Sequence, residues 1–178
     1  MRSFLTALLL AAGLATAGAE VTNTNKAPNA TVPTPTNGIV RPAPDFTFPG
    51  IGKNQSLRGV HGQPVVLLFA KNPNVRDFKA QVKILKDIYQ QFANKQVIFV
   101  AAFTGEVGPI KSDIPFVIAN NGPGVAATYG VTDKQKFTIV IIGRDGNLDY
   151  QTTQVLNAFR VRDVVQNSYA VQATTGRL

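Results

Sequence analysis

The sequence predicts a single α/β domain with a mixed central sheet and helices on both faces. Three observations carry that expectation. Val65–Ala70, Val97–Phe103 and Phe137–Ile142 are continuous apolar, β-branched runs, as expected of strands buried on both faces. Between the first two, Phe78, Val82, Leu85, Tyr89 and Phe92 recur at intervals of four, three, four and three, one face of an α-helix. After the third run, Arg144-Asp-Gly-Asn147 is a turn in which Gly146 supplies a positive φ, and Leu148–Thr152 returns antiparallel.

Each element follows in order. Val65–Ala70 opens a β-α-β unit, which implies a parallel strand pair with a right-handed crossover. The helix after it ends at Asn94, and Val97–Phe103 is its partner strand. Pro115–Ala119 is a short strand, and Pro123–Tyr129 a short helix with Pro123 near its start. The hairpin Phe137–Thr152 follows. Gln154–Val171 is a last helix, with Leu156, Phe159, Val164 and Val171 as its inward candidates.

The flanks read differently. Met1-Arg2-Ser3 is a short basic start, Phe4–Leu14 an apolar run below the ~20 residues of a membrane span, and Ala17-Gly18-Ala19 a small-residue cleavage pattern. Residues 1–19 are therefore expected to be a secretory signal peptide, cut before Glu20. The expected location is periplasmic, cell-envelope or secreted, with no transmembrane span after cleavage. Residues 20–43 are rich in Thr, Asn and Pro and poor in large apolar residues, which predicts a flexible tether. Residues 44–175 form the domain and 176–178 a tail.

Charge and cysteine bound the function. The 178 residues hold 18 Lys and Arg against 10 Asp and Glu, for a formal net charge of +8. Such a chain is drawn to anionic partners: a protein, an envelope polymer or lipid headgroups. Specific nucleic-acid binding is not expected, because Tyr89 and Phe92 belong to the core stripe instead of interleaving with the basic residues. There is no cysteine. Export to an oxidising compartment usually brings disulfides, so this domain must be stabilised by packing alone.

Four local motifs, in order along the chain, resemble the thioredoxin-like superfamily. They are closest in kind to its peroxiredoxin and membrane-tethered thiol–disulfide oxidoreductase group, the alkyl hydroperoxide reductase/thiol-specific antioxidant type. Ala43-Pro-Asp-Phe-Thr-Phe48 is similar to the group's opening A-P-D-F. Ser56-Leu57 with Gly62-Gln-Pro-Val-Val-Leu-Leu-Phe69 is similar to its first-strand entry. Ile114-Pro-Phe-Val-Ile118 followed by Val125-Ala-Ala-Thr-Tyr-Gly-Val131 resembles its F-P-V-L-L-D…A-x-x-Y-G-V segment, and Ile142-Gly-Arg-Asp-Gly146 its I-D-R-D-G. The resemblance spans Ala43 to Val171. It implies a thioredoxin-like fold with its active site after Val65–Ala70.

At that site the chain departs from the group. Where the resemblance implies C-x-x-C or a peroxidatic cysteine, the sequence reads Lys71-Asn-Pro-Asn-Val-Arg-Asp-Phe78, with Asn74 and Asp77 near the two cysteine positions. The cis-proline implied before the next strand is missing too: Thr132-Asp-Lys-Gln-Lys-Phe137 has no proline, and Phe137 follows directly. A non-proline cis bond costs about 3 kcal/mol, so a trans loop is expected there. Thiol exchange and peroxide reduction need a thiolate nucleophile, which neither Asn nor Asp supplies.

Two readings follow. The first is a non-catalytic binding or scaffold module. Arg76, Lys79, Lys83 and Lys86 recur at three, four and three along the first helix, Lys71 precedes them, and the resemblance brings Lys134 and Lys136 opposite, so these seven are the candidate binding residues. The second is an enzyme with cysteine-independent chemistry in the same cleft, drawing on Asn74, Asp77, Arg76 or the lone His61. His61 lies in a loop before the first core strand, and a lone loop histidine without a partner pattern is more often polar surface. No cofactor is expected, and no metal site, since no His/Asp/Glu cluster stands out.

Overall fold

The computed structural model describes residues 41–167. The expectations for the signal peptide, most of the tether, and the end of the domain with its tail fall outside these residues. A five-stranded sheet runs in the order β5-β4-β3-β6-β7, with β3 Val65–Ala70, β4 Ile98–Phe103, β5 Phe116–Ile118, β6 Phe137–Ile142 and β7 Leu148–Thr152. β3, β4 and β5 are parallel, while β6 pairs antiparallel with both β3 and β7. The apolar runs thus place β3 and β6 at the centre, where every residue of both is buried.

Helices cover both faces. α1 (Arg76–Ile88) and α3 (Ala158–Gln166) pack on one layer of side chains, which includes Val66, Leu68, Phe99, Phe103 and Ile139. α2 (Gly122–Thr128) packs on the other, with Leu67, Phe69, Val100, Val140 and the incoming Phe46 and Phe48. The two layers are the two side-chain sets of one alternating sheet. Gly122 makes the α2 contact possible: a Cβ built there falls 2.1 Å from the Phe103 carbonyl oxygen.

Two helices differ from the sequence expectation. The first is α-helical only to Ile88 and continues as a 3-10 turn, Tyr89–Lys95, before Gln96 turns left-handed with φ 51°. The tighter turn brings residues three apart onto one side. Tyr89 and Phe92 accordingly both meet Phe99, with ring centroids 5.9 and 6.1 Å away. The last helix starts at Ala158, not Gln154, because Asn157 caps it by accepting the Arg160 N–H at 2.8 Å. From that start the inward face is Val161, Val164 and Val165, and Phe159 is 66% exposed. Phe159 lies two residues from Val161, on the opposite side of the helix, with the Arg162 guanidinium 5.5 Å from its ring centroid. Leu156 is buried as expected, ahead of the helix, and Val171 lies outside the described residues.

A small hairpin has no counterpart in the sequence reading. β1 (Thr47–Pro49) and β2 (Asn54–Ser56) pair antiparallel and lead into a 3-10 turn, Leu57–Val60. Six largely polar residues in two three-residue strands carry no usable hydrophobic period. The turn is closed by Gly50 N–H donating to Lys53 O at 3.0 Å. Upstream, Ala43 N–H donates to Gly146 O and Leu148 N–H to Arg41 O, so Arg41 and Ala43 bond through their backbone to the β6–β7 hairpin.

Candidate functional site

β3 and β4 end side by side. Ala70 pairs with Phe103 on one side and Phe137 on the other. Pairing continues one step further, with Thr104 N–H donating to Ala70 O at 3.0 Å and Gly105 N–H to Lys71 O at 2.9 Å. The chain therefore leaves β3 at Lys71, leaves β4 at Thr104 and enters β6 from Lys136, all at one end of the sheet. A crevice beyond the carboxyl ends of parallel strands is where open α/β sheets bind ligands. Here it is a cleft of about 660 Å³ lined by Lys71, Val75, Arg76, Thr104, Asp133, Gln135 and Lys136.

The charged lining of this cleft is mostly basic. Three cations face a single carboxylate, Asp133. α1 begins at its edge: Val75 is the N-cap and gives no side-chain cap, so no side chain at that position takes up the first-turn N–H groups. Asp77, in the first turn, provides the negative charge that the helix dipole favours there. The opposite wall is a turn closed on itself, with Gln135 N–H donating to Thr132 O and Thr132 N–H to Gln135 Oε1, both at 2.9 Å.

A second, separate groove of about 720 Å³ runs along α1 on its other flank, against the segment Pro109–Asp113. Phe78, Val82 and Ile110 contribute apolar lining, and Lys79, Lys83, Lys86 and Lys111 the charge. Lys86 is ion-paired with Asp113. The hydrogen bond to Asp113, and then its charge, raise the Lys86 pKa above the usual lysine value.

The structure thus divides the seven candidate binding residues. Lys71, Arg76 and Lys136 converge on the cleft; Lys79, Lys83 and Lys86 belong to the groove; Lys134 is exposed and lines neither. The degenerate positions do not come together. Asn74 is at the groove, with its N–H on Asn72 Oδ1 at 2.9 Å, Asp77 lines neither hollow, and Phe137 is 1% exposed in the core. His61 is remote from all of them. It follows the Leu57–Val60 turn at the amino end of β3, with its ring against Gly146 in the β6–β7 turn: a Cβ on Gly146 would be 2.8 Å from His61 Cε1. The shared cleft proposed for His61 with Arg76 is therefore not formed, because the length of β3 separates them. Among the described residues no group of three or more His, Asp or Glu side chains is placed to hold a metal.

Sequence reasoning missed Val75, Thr104 and Gln135 in the cleft, and Lys111, Asp113 and Ile110 in the groove. These are loop residues without periodicity, and only the strand order brings them to α1.

No protein-family model matches the chain, and no curated protein matches it by sequence. Solved structures do. The thioredoxin domain of a thiol-disulfide oxidoreductase from Bacteroides vulgatus matches with TM-score 0.56 at 16% identity, over 68% of this chain and 93% of its own. The exposed lipoprotein thioredoxin of Streptococcus pneumoniae matches with TM-score 0.52 at 19% identity, over 69% and 98%. The mitochondrial 2-Cys peroxiredoxin of Plasmodium falciparum matches with TM-score 0.54 at 16% identity, over 76% and 96%. Identities this low speak to architecture alone. With its mixed five-stranded sheet, its helices on both faces and these neighbours, the chain has the thioredoxin-like fold, on a sequence without a single cysteine.

Proposed function

We propose that this chain is an exported, non-catalytic binding module that recognises phosphate-bearing anionic surfaces through the cleft at the carboxyl ends of β3 and β4. The observation that carries the reading is the composition of that cleft: Lys71, Arg76 and Lys136 against one carboxylate, in a chain with no thiol to do exchange chemistry. Cations around a hollow beside a helix start attract phosphate oxygens by charge and by hydrogen bonding. The net charge of +8 acts in the same direction at longer range. Export is supported by the basic start, short apolar run and small-residue pattern of residues 1–19. Among the described residues no helix is long and apolar enough to cross a membrane.

Phospholipid headgroups and phosphate-containing envelope polymers share this chemistry, and two binding arms separate them. The mature chain is sedimented with phosphatidylglycerol vesicles, and titrated separately with poly(glycerol phosphate). Binding in one arm identifies the source, should fall with salt, and should weaken about tenfold in K71Q/R76Q/K136Q. Absence of binding in both arms, or an unaffected triple variant, would overturn the reading. Insulin-disulfide reduction and peroxide consumption should stay at the level of the reductant alone; turnover above it would refute the non-catalytic assignment.

A further inference from the structure

The groove on the other flank of α1 points to a different kind of ligand, and we infer that it docks an extended acidic peptide segment of a partner protein. Its lining is amphipathic. Phe78, Val82 and Ile110 give it an apolar side, while Lys79 and Lys83 from α1 and Lys111 from the facing segment give it cations on both walls. Among the described residues these three lysines form no ion pair, in contrast to Lys86, which Asp113 occupies.

The spacing of charge selects a peptide over a single-headed amphiphile. Lys79 and Lys83 are one helical turn apart, a rise of about 6 Å. Alternate residues of an extended chain repeat at about 6.7 Å. Carboxylates at every second position therefore meet successive lysines, and the residues between them turn to the facing wall, where Ile110 is partly exposed, with Phe78 and Val82 buried at the base. A lipid or fatty acid carries its charge at one end and leaves part of this row unmatched. A volume of about 720 Å³ is in the range of pockets that enclose a few side chains.

Charge also argues against the chain's own segments as occupant. A second copy carries the same +8. Residues 1–40 contain Arg2 and Lys26 against Glu20 alone, and residues 168–178 contain Arg177 and no acid. This site lies apart from the cleft of the proposed function, with which it shares no lining residue.

The test uses a short labelled peptide with Asp at alternate positions and Leu or Ala between them, read by fluorescence anisotropy on the full chain. The same peptide with Asn for Asp, and phosphatidylglycerol vesicles, serve as competing probes. The Asp peptide should bind, and K83Q/K111Q, which removes one cation from each wall, should weaken it about tenfold. The charge-matched K53Q/R144Q, far from the groove, should change it less than about twofold. D113N removes a repelling carboxylate and releases Lys86, so it should tighten binding about threefold, a gain that misfolding does not imitate. Four results would each overturn the inference: no binding of the Asp peptide, equal binding of the Asn peptide, equal losses in the two double variants, or vesicles displacing the peptide through the same lysines. None of them bears on phosphate binding at Lys71, Arg76 and Lys136, which the other assay reads.

Discussion

Gln81 and Leu156 are joined by two hydrogen bonds inside the protein: the Gln81 amide donates to Leu156 O at 3.2 Å, and Leu156 N–H donates to Gln81 Oε1 at 2.7 Å. Gln81 is fully buried on α1, and Leu156 is the residue from which the chain turns into α3. The side chain stands in for a strand partner. It satisfies both backbone groups of a buried, non-helical residue, and so holds the approach to α3 against α1.

Gln81→Met keeps the volume and removes both bonds, leaving a buried N–H and a buried C=O without their partner. The expected loss is about 2 to 4 kcal/mol, read from the shift in urea midpoint at constant slope. A loss below about 0.5 kcal/mol would mean that water replaces the amide.

Thr138 has the opposite problem. It is fully buried on β6, and among the described residues its hydroxyl has no hydrogen-bond partner. Thr138→Val exchanges an unsatisfied hydroxyl for a methyl of nearly the same shape, in a central strand that favours β-branched residues. It should stabilise the domain by about 1 kcal/mol in thermal or urea unfolding. Destabilisation would show that the hydroxyl has a partner in solution.

Gly122→Ala places a Cβ against the Phe103 carbonyl, 2.1 Å away, where the neighbour is backbone and has little room to shift. The expected cost is about 2 kcal/mol or more, through displacement of α2 from β4. Gly59→Ala is the control. Its Cβ meets only Ser56 Oγ at 3.5 Å, and the midpoint should stay within about 0.5 kcal/mol of the parent.

Tyr129 sets an alkaline limit. Its hydroxyl donates to Pro44 O at 2.8 Å, and burial, followed by the charge of Asp45, raises its pKa above the ordinary tyrosine value. A pKa raised by folding contributes stability that is intact below the unfolded value of about 10 and is lost as pH climbs towards the folded one. Stability should therefore fall with pH above about 10. Tyr129→Phe should flatten that slope while lowering stability at neutral pH by about 1 kcal/mol, because Pro44 O loses its donor. An identical slope in the variant would assign the alkaline loss to another group.

Much of the fold was legible because its signals are local or periodic. The continuous apolar runs of β3 and β6, the Phe78–Leu85 stripe and the Gly146 turn each state their own structure. The departures have local physical causes. The polar β1–β2 hairpin carries no period. Asn157 and the Gln81–Leu156 bonds delay α3 by four residues, and that delay turns Phe159 outwards.

The site was legible only in part. The sequence by itself determined that no thiol is present, that α1 carries a row of basic residues, and that the sheet has buried central strands. These depend on residue identity and on spacing within one element. Tertiary structure decided that Arg76 faces Lys71 and Lys136 while Lys79 and Lys83 face Ile110 and Lys111, that Asp113 takes Lys86, and that His61 lies at the far end of β3. Those relations are set by strand order and loop path, through pairings between residues distant in sequence, which no local period encodes.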